Sequence, residues 1–247
     1  MITTAHKVAR LSLMLYHSFA QARWLVRKRD RQRLLDELIH TGFQSLPLVM
    51  LIGLFAGAII AWQAAYQFRG LVSLTLLGGQ SARIIVMEMA PVMTGMVIAG
   101  RMAAPMAASI ASRKDTGQLD ALTTMGINPL RYIVMPHVLA VTLMMPVLAV
   151  FSNAMGIIGC WFVSDFFLQA GGAVFWSSIR DFFNPLDLAG GLLKAFTFGL
   201  FMSLITAYCG FYSSFGQLGI RNAGTKAFVY SAIMILISDF WLWFLLF

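Results

Sequence analysis

Charge is what this sequence has least of. Only 11% of its 247 residues are Asp, Glu, Lys or Arg, against about 25% in a soluble globular domain. No stretch has the polarity of a soluble domain, which argues against a soluble enzyme or binding module. Cysteine is scarce as well. Cys160 and Cys209 stand in different apolar segments, so they are read as small core residues and no disulfide is expected. The four histidines, His6, His17, His40 and His137, are scattered, and neither HExxH nor GxSxG occurs. With no metal-spaced Cys/His cluster either, no catalytic residue and no metal site is expected. The run Gly219 to Lys226 has the glycines of a phosphate loop, but it ends Thr-Lys where Lys-Ser/Thr is needed. No buried strand precedes it, so any ATP is expected on another chain.

Apolar length is what the chain has in quantity. It is 59% hydrophobic with a mean hydropathy of +0.78, enough for about five spans of ~20 residues. These are expected at about 43–63 (with a possible extension to Phe68), 84–112, 133–164, 186–212 and 227–247. Residues 69–82, with Gly78-Gly79, are expected to be a connection. Before the first span, residues 1–42 hold eight Lys/Arg against three acids, a balance of +5, and include the run RKRDRQR. Leu11, Met14, Leu15 and Phe19, then Leu34, Leu35 and Leu38, recur at helical spacing, with Tyr16 and Trp24 as interfacial aromatics. No uninterrupted apolar run of eighteen occurs there, so an interfacial amphipathic helix fits better than a span, a signal peptide or a nucleic-acid-binding arm. Thr41-Gly42 is the expected break. With the N-terminus cytoplasmic, the inner segments carry 13 Lys/Arg (8 + 3 + 2) and the outer ones three, Arg69, Arg83 and Arg180. This positive-inside bias puts the C-terminus outside. The fold class is therefore an all-α membrane protein, an N-terminal interfacial helix followed by five transmembrane helices.

Glu88, Arg101, Lys194 and Asp239 fall deep within the spans, where each is costly without a partner. Glu88 and Arg101 lie ~20 Å apart along one helix and about 220° around it, too far to pair with each other. Glu88 stands near the outer end beside Pro91, a proline tolerable where helices pack or a cavity opens. Arg101, among Gly100, Ala103 and Ala104, suits an ion pair or a carbonyl clamp. Lys194 and Asp239 both lie ~12 Å below the outer ends of their helices, and are expected to pair. In the first span, Gly53-x-x-x-Gly57 offers a second helix a close approach.

The polar run between the second and third spans is the most specific feature. Asp115 or Thr116 is expected to cap a short helix whose Leu119, Leu122 and Met125 form one apolar edge. Gly126 is expected to end it in a left-handed conformation, and Pro129 to prevent its continuation. With Gln118 and Asp120 exposed, such a helix suits docking into the groove of a cytoplasmic partner.

These residues resemble the MlaE/YrbE family, permease subunits of bacterial ABC lipid transporters that work with MCE proteins. The likeness is carried by Glu88-Met-Ala-Pro91, Ala99-Gly100-Arg101, Gln118-Leu-Asp-Ala-Leu122, Met125-Gly126, Asn128-Pro129 and Pro136. Weaker matches at Ser45-Leu-Pro-Leu48, Gln63, Lys194, Phe198 and Asp239 extend it over most of the chain. Gly117, Ala90, Ser109 and His137 depart from the usual pattern. The resemblance implies residues 43–247 as one five-span permease domain, with a cytoplasmic coupling helix within 113–130 and a periplasmic segment at 165–185. Gln118, Leu119, Asp120, Leu122, Met125, Gly126, Asn128 and Pro129 would serve the contact with the ATPase. Glu88, Pro91, Gln63, Met87 and Leu71 would line a lipid cavity. The implied partners are a second permease copy, a cytoplasmic ABC ATPase dimer that uses ATP and Mg, a periplasmic MCE-domain protein and membrane phospholipid. Nucleic acid is not among them, and no cofactor is expected on this chain. The implied location is the bacterial inner membrane, and the chain is expected to be a transport subunit and not an enzyme. Two other readings stay open: an intramembrane lipid-modifying enzyme using Glu88 or Asp239 as acid/base, and a non-transporting scaffold.

Overall fold

A computed structural model describes residues 28–67, 77–169 and 171–246, and every regular element in it is helical. Most of the expected interfacial helix, with Tyr16 and Trp24, lies outside the described residues, as does Leu71. The elements are α1 (Lys28–Thr41), a 3-10 turn (Phe43–Ser45), α2 (Leu46–Gln67), α3 (Leu77–Ile84), α4 (Ala90–Ile98) and α5 (Ala104–Asp115). They continue with α6 (Gln118–Thr124), α7 (Met135–Phe166), α8 (Gly172–Phe182), α9 (Pro185–Phe211) and α10 (Gln217–Leu246). Among the described residues, five stretches are long and apolar enough to cross a membrane: Arg31–Gln67, Gly78–Asp115, Leu130–Phe166, Pro185–Phe211 and Gln217–Leu246.

The second of these stretches is not a uniform helix. Single π-helical turns occupy Ile85–Met89 and Ala99–Ala103, and a third, Leu130–Val134, precedes α7. Each ends two residues before a proline: Pro91, Pro105 and Pro136. A proline ring presses on the carbonyl four residues back and offers it no N–H. Widening the turn by one residue relieves that crowding, and Ala90 N–H accordingly bonds Ile85 O. Pro146, inside α7, has no such turn, so proline alone does not impose one.

The chain divides into two compact units. One comprises the described residues up to Gln44 with Ile98–Met144 and Thr197–Ile237; the other comprises Ser45–Val97, Met145–Phe196 and Ser238 onward. In the second unit, Ile60, Ala61, Ile85, Cys160, Val163 and Phe175 form the core. Gly53 and Gly57 of α2 do provide a close approach: a Cβ at either would overlap the backbone of Ser152 or Gly156 in α7. Gly159 faces Leu54 O in the same way, so the seam is lined with small residues from both helices. Gly78-Gly79, expected in a connection, instead belong to the start of α3. There they let α8 approach through Phe175, Ser178 and Phe182, and Gly79 N–H, unpaired within its own helix, donates to Ser178 Oγ at 3.0 Å. The segment 165–185 is thus largely a packed helix, α8. Arg83 Nε reaches Asp187 Oδ2 at 2.8 Å, tying α3 to the first turn of α9.

In the first unit, α1 ends at the expected Thr41-Gly42 break, where Gly42 N–H bonds Leu38 O. Ile110, Leu119 and Ile133 form one core cluster, and Val134, Val138, Leu204 and Ala207 another. Helix α10 begins ten residues before the expected Ala227, so the run Gly219 to Lys226 is helical. Both cysteines are buried free thiols.

Candidate functional site

Lys194 organises the charge inside the apolar helices. Its side chain is fully buried, and its Nζ lies 2.5 Å from Glu88 Oε1 and 3.1 Å from Asp239 Oδ1. The expected Lys194–Asp239 pair is present. Sequence reasoning missed that Glu88 joins it, because helical spacing reports position along each helix and not which faces of three helices meet. The π turn at Ile85–Met89 carries Glu88. Gly191, one turn before Lys194, admits α9 against the Val86 carbonyl, which a Cβ there would overlap. Small size at Gly191 therefore sets how closely the ammonium approaches its acids. The acids retain a partial opening, with side-chain exposures of 29% for Glu88 and 22% for Asp239. One cation held by two carboxylates in an apolar surround is a costly arrangement, and the cation is the member whose loss leaves uncompensated charge.

The other residues expected beside Glu88 are placed differently. Met87 and Pro91 are buried, whereas Gln63 is exposed on α2. Arg101, in the π turn Ala99–Ala103, donates to the side-chain amide oxygen of Gln44 at 3.4 Å. That partner is a side-chain amide, a contact beyond the ion pair or carbonyl clamp expected.

The short polar helix exists, and its start is a correction. Neither Asp115 nor Thr116 caps α6. Asp115 Oδ1 accepts from Gly216 N–H at 2.7 Å, and the Thr116 hydroxyl donates to Ser112 O. The cap position is Gly117, left-handed at φ 71°, a conformation glycine adopts without a Cβ penalty. Lys114 Nζ also donates to Ser213 O at 2.7 Å. The end of α5 is thereby tied twice to the turn between α9 and α10. At the other end Gly126 is left-handed as expected, at φ 72°. Ile127 N–H bonds Leu122 O and Gly126 N–H bonds Thr123 O, the paired bonds of a Schellman ending. Asn128 Oδ1 accepts from Leu130 N–H, and Pro129 leads into the next helix. The expected apolar edge is shorter than three residues. Leu119 is buried and Leu122 half-buried, but Met125 is 72% exposed. Gln118 and Asp120 are exposed as expected.

Among the described residues, no three or more His, Cys, Asp or Glu side chains gather to hold a metal. The fold and the Lys194 cluster together define a multi-pass, all-helical membrane protein. A model of the family described as Permease MlaE matches residues 34–245. The chain is 34% identical over 207 residues to a probable ABC transporter permease protein of Rickettsia conorii, covering 84% of this chain and 80% of that one. It is 31% identical over 218 residues to a probable ABC transporter permease protein of Synechocystis, covering 88% and 83%. Over 209 residues it is 31% identical to the intermembrane phospholipid transport system permease protein MlaE of Haemophilus influenzae, covering 84% and 80%. The chain belongs to the MlaE permease family, and it is a membrane permease subunit.

Proposed function

We propose that this chain moves phospholipid between a bacterial inner membrane and a periplasmic MCE-domain protein, driven by a separate cytoplasmic ABC ATPase. Its N-terminus is cytoplasmic, its C-terminus periplasmic, and it works beside a second copy of itself. The observation that carries this reading is the construction of α6. A seven-residue helix closed at both ends by left-handed glycines is held to α5, whose last turn is bonded to the turn before α10. Gln118, Asp120 and Met125 are left exposed on it. A partner that pushes on α6 therefore pushes on spans. Coupling requires that the ATPase bind two states of the permease with different affinity, and this rigid connection is a route for that difference. The names of the relatives support the ABC transporter, and that of the Haemophilus protein supports phospholipid.

Glu88 is the group assigned to the polar end of the lipid path, because it is the partly open member of a buried charge set on a widened turn. Purification from the native membrane in mild detergent, followed by mass spectrometry, tests the whole assignment. An ABC ATPase, an MCE-domain protein and phospholipid are expected together. The chain emerging alone and lipid-free would return it to the scaffold or enzyme readings. Glu88→Ala is expected to reduce lipid loading while leaving the assembly intact, and normal loading would remove Glu88 from the path.

A further inference from the structure

Helix α1 sets part of its polar face against a cleft. Arg33, Asp36, Glu37 and His40, spaced i, i+3, i+4 and i+7, form its polar face, and all four line a cleft of about 620 Å³. The apolar Leu35 and Ile39 are exposed, at 47% and 58%, while Leu34 and Leu38 are half-buried. An interfacial helix ordinarily lays its apolar face in lipid and its polar face in water. Here Arg33 and Glu37 are half-buried on the protein side, Asp36 and His40 stay exposed at the rim, and a cleft wide enough for a ligand remains between them and the spans.

The opposite walls are equally ordered. Met102, Pro105, Met106, Ser109 and Arg113 recur along one face of the second span, and Tyr132, Ile133, Pro136 and His137 along the start of the third. All belong to one compact unit. Arg113 lies ~16 Å along the helix axis from Met102, and Arg101 adjoins Met102, so that wall carries a guanidinium at each end with methionine and proline between them. Several of the polar groups are already engaged: Arg33 stacks 3.7 Å over the Tyr132 ring, Glu37 Oε2 faces His137 Nδ1 at 3.7 Å, and Arg101 bonds Gln44. Three arginines (Arg33, Arg101, Arg113) against two carboxylates (Asp36, Glu37) leave the lining net positive.

A net-positive cleft with methionine and proline between its arginines, beside a helix that exposes Leu35 and Ile39, fits an amphiphile with an anionic head. We propose that this cleft holds the phosphate headgroup of an anionic glycerophospholipid as a resident lipid, its acyl chains leaving along Met102, Pro105 and Met106. Arg113 and Arg33 supply the charge-assisted hydrogen bonds to the phosphate, and the aromatic ring under Arg33 holds its guanidinium in place. This site shares no residue with the Lys194 cluster and does not depend on lipid being the cargo.

The test is native mass spectrometry of the full chain released from phosphatidylcholine bilayers containing phosphatidylglycerol. The wild-type chain is expected to retain one phosphatidylglycerol per subunit. Arg113→Gln should lower that retention about tenfold or more, the scale of one lost hydrogen bond to a charged group. Ser109→Trp keeps every charge but fills the cleft, and should lower retention as much; it decides the matter if Arg113→Gln does not fold. Asp36→Asn, which removes a competing acid, should retain at least as much as wild type. Retention unchanged in both Arg113→Gln and Ser109→Trp would overturn the proposal. So would a wild-type chain that binds inorganic phosphate in detergent but keeps no phosphatidylglycerol, since the site would then take a free anion. A chain that retains this lipid yet transports nothing would sink the transport reading and leave this one standing.

Discussion

At the scale of single residues, Lys194 bears the most consequence. It is fully buried and shared by Glu88 and Asp239, so removing it leaves two carboxylates facing each other in an apolar surround. Lys194→Met is expected to destabilise the folded protein by about 3–5 kcal/mol, the usual cost of breaking a buried ion pair, read as a shifted unfolding midpoint in mixed micelles. A simple two-residue pair would be restored by reversing both charges. The geometry argues otherwise here, because Lys194→Asp with Asp239→Lys sets the new acid against Glu88. That double variant should stay destabilised, and adding Glu88→Gln should recover most of the loss. Full recovery by the double variant alone would mean that Glu88 is not electrostatically part of the set.

At the scale of elements, small residues and prolines decide how the helices meet. Gly57 of α2 faces the backbone of Gly156 in α7 so closely that no Cβ fits. Gly57→Val should therefore force the two helices apart at a cost of about 1–3 kcal/mol, visible as lower stability in micelles. The exposed Phe55 of the same helix should tolerate replacement by Leu. Helix α6 makes a separate prediction. Gly117→Ala places a Cβ in the left-handed region, costing about 1–2 kcal/mol, and should weaken ATPase association because the helix start is displaced. Met125→Glu leaves the backbone alone and should weaken it through the contact surface, without lowering the unfolding midpoint. Equal ATPase binding by both variants would show that α6 is not the docking element. The three π turns stand two residues before Pro91, Pro105 and Pro136. That proline spacing is a signal the sequence contains, although Pro146 shows that packing has the final say.

At the scale of the whole molecule, the spans are unequal. Of the apolar stretch in the third span 61% is buried within the chain, against 17% in the fifth. Phe240, Trp241 and Phe244 of α10 are left outward, an exposed apolar face. The charge bias makes orientation testable in intact cells, in a background with the buried Cys160 and Cys209 changed to Ala. Met125→Cys is expected to resist a membrane-impermeant thiol reagent applied from outside, while Phe183→Cys reacts. The reverse pattern would invert the topology. Of the site, the membrane class, the span count, the Lys194–Asp239 pair and the Gly126 ending were legible, because apolar length, charge depth and turn chemistry are local properties. The capping of α6 was not: Asp115 and Thr116 are both ordinary capping residues, and only the turn at Gly216 takes Asp115 away.

The sequence by itself determined that this is a five-span helical membrane protein with costly charges inside, because burying peptide groups in lipid leaves helices or closed barrels as the only spanning structures. The tertiary structure decided which of those charges meet. It joined Glu88 to a pair already visible, gave Arg101 an amide partner and set Arg33 and Glu37 of α1 against a cleft. Helix faces meet according to the side chains of several distant segments at once. The sum of those contacts, and no one segment, sets where each charge comes to rest.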